Sequence, residues 1–195
     1  MCVGDVERAF GLLCTSYRMG GKTLICGNGG SAADAEHIMA ELMKGMLLQR
    51  PIPDTHRERL MAAFPENGRY LSDNLQGSLP AISLCSQNAL LTAYANDVAG
   101  DMAFAQQVYG YGREGDTLLA LSTSGNSPNV IHALQVARTL GLSTIGITGA
   151  TGGGMSPFCD VCIRVPCRDT VDVQERHLPI YHALCIMLER EFFGT

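Results

Sequence analysis

Residues 22–42, which read KTLICGNGGSAADAEHIMAEL, decide the fold. The apolar run 22–26 is typical of a short buried strand, residues 27–31 form a polar turn rich in glycine, and the spacing of apolar side chains predicts a helix over 32–48. A strand, a tight turn and a helix in this order form the repeating unit of α/β proteins. The rest of the chain repeats this unit.

Further strands are predicted at 81–85, 117–121, 143–148 and 162–165, and further helices at 3–19, 87–95, 101–112, 128–140 and 172–193. The strands are apolar throughout and do not alternate strictly with polar residues. This pattern indicates a parallel sheet that is buried on both faces. We therefore predict an α/β fold with five parallel strands, in one domain over residues 1–195, with ligands bound beyond the carboxyl ends of the strands.

Residues 50–80 differ from the rest because proline, glycine and charged residues interrupt them. We expect one short helix there, at about 55–64. This segment separates the second predicted helix from the strand at 81–85.

Composition excludes several classes of function. The net charge is −5, and basic residues cluster only loosely, around Arg50 to Arg59, which argues against a nucleic-acid partner. No apolar run approaches the length of a membrane span, and the first ten residues lack the basic start of a signal peptide. Eight scattered cysteines, mostly in apolar stretches, predict a cytoplasmic protein with reduced thiols.

Cys159 and Cys162 form a C-x-x-C pair, and Cys167 follows. Such a pair can bind a metal or act in redox chemistry. The surrounding β-branched residues and the absence of a second cysteine pair in the sequence nearby favour a simple strand instead.

Two polar turns follow strands and precede helices. The first is Gly27-Asn28-Gly29-Gly30-Ser31, and the second runs from Ser122 to Ser127 with four hydroxyl groups. Glycines let the backbone approach a ligand, and the N-terminus of a helix attracts anions. Both turns could be simple helix caps, but two of them at equivalent strand ends favour a phosphate site.

His37 and Glu41 are four residues apart and therefore share one face of the second helix. Gln174, His177 and His182 are further candidates on the last helix, although Pro179 between them is expected to kink that helix. A metal site needs three or four such groups brought together by the fold. Spacing alone is also compatible with a surface ion pair, so the two helices must meet for this hypothesis to hold.

These residues resemble the SIS (sugar isomerase) family, and within it the isomerases of sedoheptulose 7-phosphate. The resemblance rests on N-G-G-S at 28–31, H-x-x-x-E at 37–41, A-N-D at 95–97, S-T-S-G-N-S at 122–127 and the pair Gln174 and His182. It implies a flavodoxin-like, three-layer sandwich. It also implies an enzyme that converts sedoheptulose 7-phosphate to D-glycero-D-manno-heptose 7-phosphate through an enediol.

The resemblance also implies a role for each matching residue. Glu41 and His182 would be the catalytic acid–base pair, and one Zn²⁺ per subunit would be held by His37, Glu41, Gln174 and His182. The substrate would be bound by Asn28, Gly29, Gly30, Ser31, Glu41, Asn96, Asp97, Ser122, Thr123, Ser124, Ser127 and Gln174. Relatives are usually homotetramers with sites between subunits, so we expect the same assembly.

The chain departs from the family pattern in three places. The related isomerases usually have an additional N-terminal helix, residues 52–79 are an insertion, and Lys44 stands near the place of an arginine that often follows the catalytic glutamate. The insertion leaves open an isomerase of another sugar phosphate. A non-catalytic sugar-phosphate-binding protein of the same fold is the other alternative, although such relatives generally lack the His–Glu and Gln–His sets.

Overall fold

The computed structural model describes residues 2–194, so the two end residues of the predicted domain lie outside the described chain. Five parallel strands form one sheet in the order β2-β1-β3-β4-β5. The strands are β1 (Thr23–Cys26), β2 (Ala81–Ser83), β3 (Thr117–Ser122), β4 (Ser143–Thr148) and β5 (Val161–Arg164). All residues of β1 and β3 are buried, which confirms the prediction of a parallel sheet covered on both faces.

Helices cover both faces of this sheet. They are α1 (Val3–Arg18), α2 (Gly30–Met43), α3 (Asp54–Ala63), α4 (Gly68–Asn74), α5 (Asn88–Tyr94), α6 (Ala103–Tyr111), α7 (Pro128–Thr139) and α8 (Thr170–Phe193). One apolar core joins α1, α2 and α8 to one face, and a second core joins α6 and α7 to the other. The three-layer sandwich is therefore confirmed. No helix in residues 2–194 combines the length and apolar character needed to cross a bilayer.

The strand order places the functional region. The chain leaves β1 toward the edge strand β2, and then returns to the other side of β1 to form β3. The carboxyl ends of β1 and β3 therefore flank a crevice, which is where open α/β sheets bind their ligands. The two polar turns follow these two strands directly, as the sequence predicts.

α2 ends five residues earlier than predicted, at Met43. The buried guanidinium of Arg50 donates to the carbonyl oxygens of Glu41 (3.1 Å) and Leu42 (2.9 Å), which have no partner within the helix at its end. Glu189 of α8 pairs with Arg50 Nε at 2.9 Å. Arg50 therefore satisfies carbonyl groups at the end of α2, and Glu189 holds Arg50 in place.

The Glu189 carboxylate also accepts hydrogen bonds from the backbone N–H groups of Met46 (2.7 Å), Leu47 (2.8 Å) and Leu48 (3.2 Å). These bonds hold residues 46–48 in the turn that follows α2. Arg50 and Glu189 side chains are both 0% exposed. This cluster therefore ties the end of α2, the following loop and α8 together inside the protein.

The segment 50–80 contains two helices where the sequence predicted one. α3 matches the expected helix at 55–64, and α4 follows it and packs against it. α3 has no buried residue, so its contacts do not form a core of their own. The spacing of apolar residues could not predict α4, because its seven residues make less than two helical turns.

α8 continues through Pro179 as one helix of 24 residues. Pro179 removes one backbone donor and does not end the helix, and the predicted kink stays a prediction. Gln174 and His182 lie on the same continuous helix.

Candidate active site

The first turn brings backbone close to a neighbouring helix. Gly29 has φ of +55°, a conformation that favours glycine, and it precedes the first residue of α2. A Cβ on Gly30 would lie 2.9 Å from the side-chain amide of Gln174. A larger residue at position 30 would therefore displace the Gln174 side chain of α8.

The second turn presents hydroxyl groups at the N-terminus of α7. Ser122 Oγ lies 3.2 Å from Ser127 Oγ, and Ser124 is exposed. The backbone N–H groups of Gly125 and Asn126 bond to the hydroxyl oxygens of Ser122 and Ser124 within the turn. Residues 149–155 pack behind it, so the turn is supported by backbone on its far side.

A pair of amides joins the two turns. Asn28 Nδ2 donates to Asn129 Oδ1 at 2.9 Å, and Asn129 Nδ2 donates back to Asn28 Oδ1 at 2.8 Å. Asn129 lies in the first turn of α7. The two predicted anion-binding turns therefore form one continuous polar surface.

His37 lies next to both predicted acid–base residues, Glu41 and His182. His37 Nε2 lies 3.4 Å from Glu41 Oε1, and the His37 and His182 rings are 5.0 Å apart between centroids. The side chain of His37 is 42% exposed and that of Glu41 is 13% exposed. α2 and α8 therefore bring a carboxylate and two imidazoles to one open site, which was the condition that the sequence could not test.

Lys44 contacts the same carboxylate. Its Nζ lies 3.4 Å from Glu41 Oε2, and its side chain is 56% exposed. The position near the family's arginine thus carries a cation beside Glu41, while the buried arginine of this region is Arg50.

Asp34 and Tyr181 complete the cluster. Asp34 accepts hydrogen bonds from Gln174 Nε2 at 2.5 Å and from the Tyr181 hydroxyl at 3.2 Å, and Tyr181 oxygen lies 3.1 Å from His37 Nδ1. Burial raises the pKa of the Asp34 carboxyl, against the hydrogen bonds and the nearby His37, which lower it. Burial, together with the charge of Asp34, raises the pKa of the Tyr181 hydroxyl, so Tyr181 stays protonated and can donate.

Sequence reasoning missed Asp34, Tyr181 and Asn129. Asp34 precedes His37 by three residues and so shares its helix face, which is a signal that the sequence contained. Tyr181 is next to His182 but points into the core, where it is 1% exposed. Asn129 is in the first turn of a predicted helix, and it pairs with Asn28, which is 101 residues away in the sequence.

Asn96 and Asp97 lie in an exposed turn of π-helix at residues 95–99. The Asn96 amide donates to Asp97 Oδ1 at 2.7 Å. Within the described chain, neither side chain forms a hydrogen bond to the two turns or to the His–Glu pair. Their predicted contact with substrate stays a prediction.

The predicted zinc ligands suit the metal by donor type, since two imidazole nitrogens and a carboxylate oxygen are common zinc ligands. His37 Nε2 lies 3.4 Å from Glu41 Oε1 and the His37 and His182 rings are neighbours, but across residues 2–194 no three His, Cys, Asp or Glu side chains form a metal-binding group. His177, the remaining candidate on α8, is buried with both ring nitrogens unpaired, and burial lowers its pKa to about 4. It therefore belongs to the core.

Cys159 and Cys162 lie elsewhere, at the edge strand β5. Both line an open cleft of about 300 Å³ with Ser156 and Arg164. All eight cysteines are free thiols in the described structure. Hydrogen bonding from Cys159 first, and then from Ser156 and Arg164, lowers the pKa of Cys162 to about 6, while the same coupling raises the pKa of Cys159.

Cys162 should therefore react with iodoacetamide faster than the other cysteines at neutral pH, because only the thiolate is the nucleophile. The alkylation rate should reach half its maximum well below the pH at which an ordinary cysteine ionises, and mass spectrometry of peptides would locate the label. Cys162→Ser should remove the fast phase, whereas Cys167→Ser should leave it. A rate that rises only near pH 9 would contradict this prediction.

Comparison with known proteins defines the class first. Residues 73–149 match the SIS domain model, which covers the second turn and part of the sheet. The structure superimposes on phosphoheptose isomerase GmhA from Neisseria gonorrhoeae with a TM-score of 0.78 and 34% identity, over 97% of this chain and 87% of the other. A phosphoheptose isomerase from Francisella tularensis gives a TM-score of 0.76 and 29% identity, over 96% and 85%.

Sequence similarity then defines the family. The phosphoheptose isomerase of Rhodospirillum rubrum is 43% identical over 188 residues, which cover 96% of this chain and 86% of that protein. That of Aliarcobacter butzleri is 40% identical, over 95% of this chain and 85% of its own length. The chain belongs to the phosphoheptose isomerase family, which confirms the resemblance inferred from the motifs.

Proposed function

We propose that this protein is an aldose–ketose isomerase that converts sedoheptulose 7-phosphate to D-glycero-D-manno-heptose 7-phosphate. One observation carries the proposal: His37 lies next to both Glu41 and His182, on the helix that begins at the first of two joined polar turns suited to a phosphate. Membership in the phosphoheptose isomerase family supports the same substrate.

The two turns would hold opposite parts of the substrate. The phosphate would bind to hydroxyl and N–H groups at the start of α7, where the helix N-terminus favours negative charge. The residues proposed for this group are Ser122, Thr123, Ser124 and Ser127. The sugar chain would contact Asn28, Gly29, Gly30, Ser31, Asn96, Asp97 and Gln174.

The reaction moves two protons. Glu41 takes a proton from C1 of the ketose while the carbonyl oxygen at C2 gains one, which gives an enediol. The hydroxyl at C1 then loses its proton to become the aldehyde, and Glu41 returns a proton to C2. His182 would carry the protons of the two oxygens, because an imidazole both accepts and donates protons near neutral pH.

Zinc is the proposed cofactor, with one ion per subunit held by His37, Glu41, Gln174 and His182. When bound, the ion would supply positive charge that polarises a carbonyl group. His37 and Glu41 are the two of these residues that already lie 3.4 Å apart.

We also propose a cytoplasmic homotetramer. The site lies open on the surface of one chain, since Asn28, Gly29, Gly30 and His37 are exposed. A neighbouring subunit would supply the walls that exclude water from the enediol. Size-exclusion chromatography with light scattering would measure the number of subunits.

Purified protein incubated with sedoheptulose 7-phosphate should yield the aldoheptose 7-phosphate. Because the two isomers have the same mass, they would be separated by chromatography, and NMR of the anomeric proton would identify the product. Ketose phosphates of five and six carbons form the comparison panel. Absence of product from the seven-carbon substrate, with and without added zinc, would exclude the proposed reaction. Faster turnover of a shorter ketose would assign another substrate.

Removal of metal should abolish turnover, because the charge that polarises the carbonyl would be lost. The protein would be treated with a chelator, its metal content measured by plasma mass spectrometry, and its activity followed as zinc is added back. Activity should return with about one zinc per chain. Full turnover by protein that holds no metal would contradict the cofactor proposal.

A further inference from the structure

A chain of hydrogen bonds runs behind the proposed metal ligands. It leads from Gln174 Nε2 to Asp34, from the Tyr181 hydroxyl to Asp34, and from His37 Nδ1 to the Tyr181 oxygen. His37 Nε2 faces Glu41 at the other end. Tyr181 bonds to the Nδ1 side of His37, opposite the Nε2 atom that faces Glu41, and Asp34 bonds to Tyr181.

The direction of each bond follows from the donors and acceptors present. The Tyr181 hydroxyl and Gln174 Nε2 both donate to Asp34, so Tyr181 uses its single proton in that bond. The Tyr181 oxygen can then only accept, which requires the proton of a neutral His37 to be on Nδ1. Nε2 of His37 is left with its lone pair directed toward Glu41 Oε1, 3.4 Å away.

The same bonds orient Gln174. Its Nε2 is held by Asp34, so its Oε1 is the amide atom that remains available as a ligand. His37 Nε2, with its lone pair, and Glu41 Oε1 are then two hydrogen-bond acceptors that face each other. Two acceptors repel each other unless a cation lies between them, so this arrangement is complementary to a positive ion.

Tyr181 is well suited to hold this geometry. It is buried, and its ring packs edge-on against both His37 (5.5 Å between centroids) and His182 (5.0 Å). Side chains fixed by core packing and hydrogen bonds behind a ligand commonly determine its orientation and tautomer. One buried ring thus touches both imidazoles of the proposed site.

We propose that Asp34 and Tyr181 are positioning residues that fix the Nδ1–H tautomer of His37 and the amide orientation of Gln174, so that both present lone pairs to a divalent cation. The cation itself rests on the proposed function. The tautomer does not, because it is a property of the metal-free chain.

The test uses Tyr181→Phe, which removes only the hydroxyl, and Asp34→Asn, which replaces one acceptor by a donor. Tyr17→Phe is the matched control, since Tyr17 is also buried and its hydroxyl bonds to Thr23 at 2.7 Å, in a different part of the core. Nitrogen-15 NMR of histidine-labelled, metal-free protein reports the tautomer of His37, assigned with His37→Gln. Competition with a chromophoric chelator reports zinc affinity.

We expect the Nδ1–H tautomer in wild type and in Tyr17→Phe, and a mixture of tautomers in Tyr181→Phe. Zinc affinity should fall by about 10- to 100-fold in Tyr181→Phe and in Asp34→Asn. A wild-type His37 protonated on Nε2 would overturn the proposal without any variant. So would unchanged tautomer and zinc affinity in Tyr181→Phe.

The outcomes also separate this proposal from the proposed function. If wild type isomerises the heptose but Tyr181→Phe matches it in tautomer and zinc affinity, only the positioning role is wrong. If wild type binds no zinc, the cofactor and the presentation of ligands are both wrong, while the isomerase assay decides the reaction independently.

Discussion

Glu41→Gln should lower kcat for sedoheptulose 7-phosphate by about 10²- to 10⁴-fold, the usual contribution of a positioned acid–base group. The amide keeps the shape of the side chain but cannot take a proton from C1. Glu41 also touches His37 and Lys44, so its replacement removes the negative charge between them. Isothermal titration calorimetry should still detect substrate binding, because the phosphate turns do not include this residue.

Glu36→Gln is the matched control. Glu36 lies on the same helix, is exposed, and accepts a hydrogen bond from Ser86 at 3.0 Å, outside the His–Glu cluster. Its kcat should stay close to wild type. Substantial turnover by Glu41→Gln would favour another base, and a loss of binding without loss of kcat would favour a purely structural role.

Arg50→Met should reduce the free energy of unfolding by about 3–5 kcal/mol, because it leaves the Glu189 carboxylate buried without a cation. It also removes two hydrogen bonds to the last carbonyl groups of α2. For a chain of this length the loss corresponds to a fall in Tm of about 6–20 °C. Urea unfolding and calorimetry at one fixed protein concentration would measure it.

Arg57→Met is the control, since Arg57 pairs with Asp73 on the surface and exposed ion pairs contribute about 1 kcal/mol or less. If the two variants lost equal free energy of unfolding, the larger contribution proposed for the buried Arg50–Glu189 pair would be wrong. Glu189→Gln should also destabilise the protein, because Met46 and Leu47 donate to different oxygens of Glu189 and a glutamine keeps only one of these acceptors.

The Arg50–Glu189 pair should also make the stability of the protein depend on pH. Burial alone would raise the pKa of Glu189, but the N–H groups of Met46 and Leu47 and the charge of Arg50 outweigh it and hold that pKa below the ordinary 4.5. A lowered folded-state pKa adds stability that is present above the ordinary value and is lost as the pH falls through the lowered one. The difference between wild type and Arg50→Met should therefore shrink in acid.

Local sequence patterns were sufficient for the sheet and the turns. Buried parallel strands are apolar along their whole length, and the turns 27–31 and 122–127 carry glycine and hydroxyl residues that their conformation and ligands require. His37 and Glu41 could be paired because four residues make about one helical turn. The meeting of α2 with α8 could only be inferred from the family, since it depends on packing between distant segments.

The failures have the same physical origin. The end of α2 at Met43 depends on Arg50 and Glu189, which are 139 residues apart, and the local pattern of 32–48 gave no sign of them. Arg50 stands in a stretch that reads as solvent-exposed, yet it is fully buried. Tyr181 was hidden for a similar reason, because a tyrosine in an apolar helix face usually serves only to fill a core.

The reciprocal amide pair between Asn28 and Asn129 differs from the ion pairs of this protein in one respect. Both partners are neutral, so the bond neither titrates nor weakens as ionic strength screens charges. Surface pairs such as Arg8 with Asp5 lose much of their attraction in concentrated salt. The junction between the two turns therefore keeps its shape across buffers in which the outer electrostatics of the molecule change.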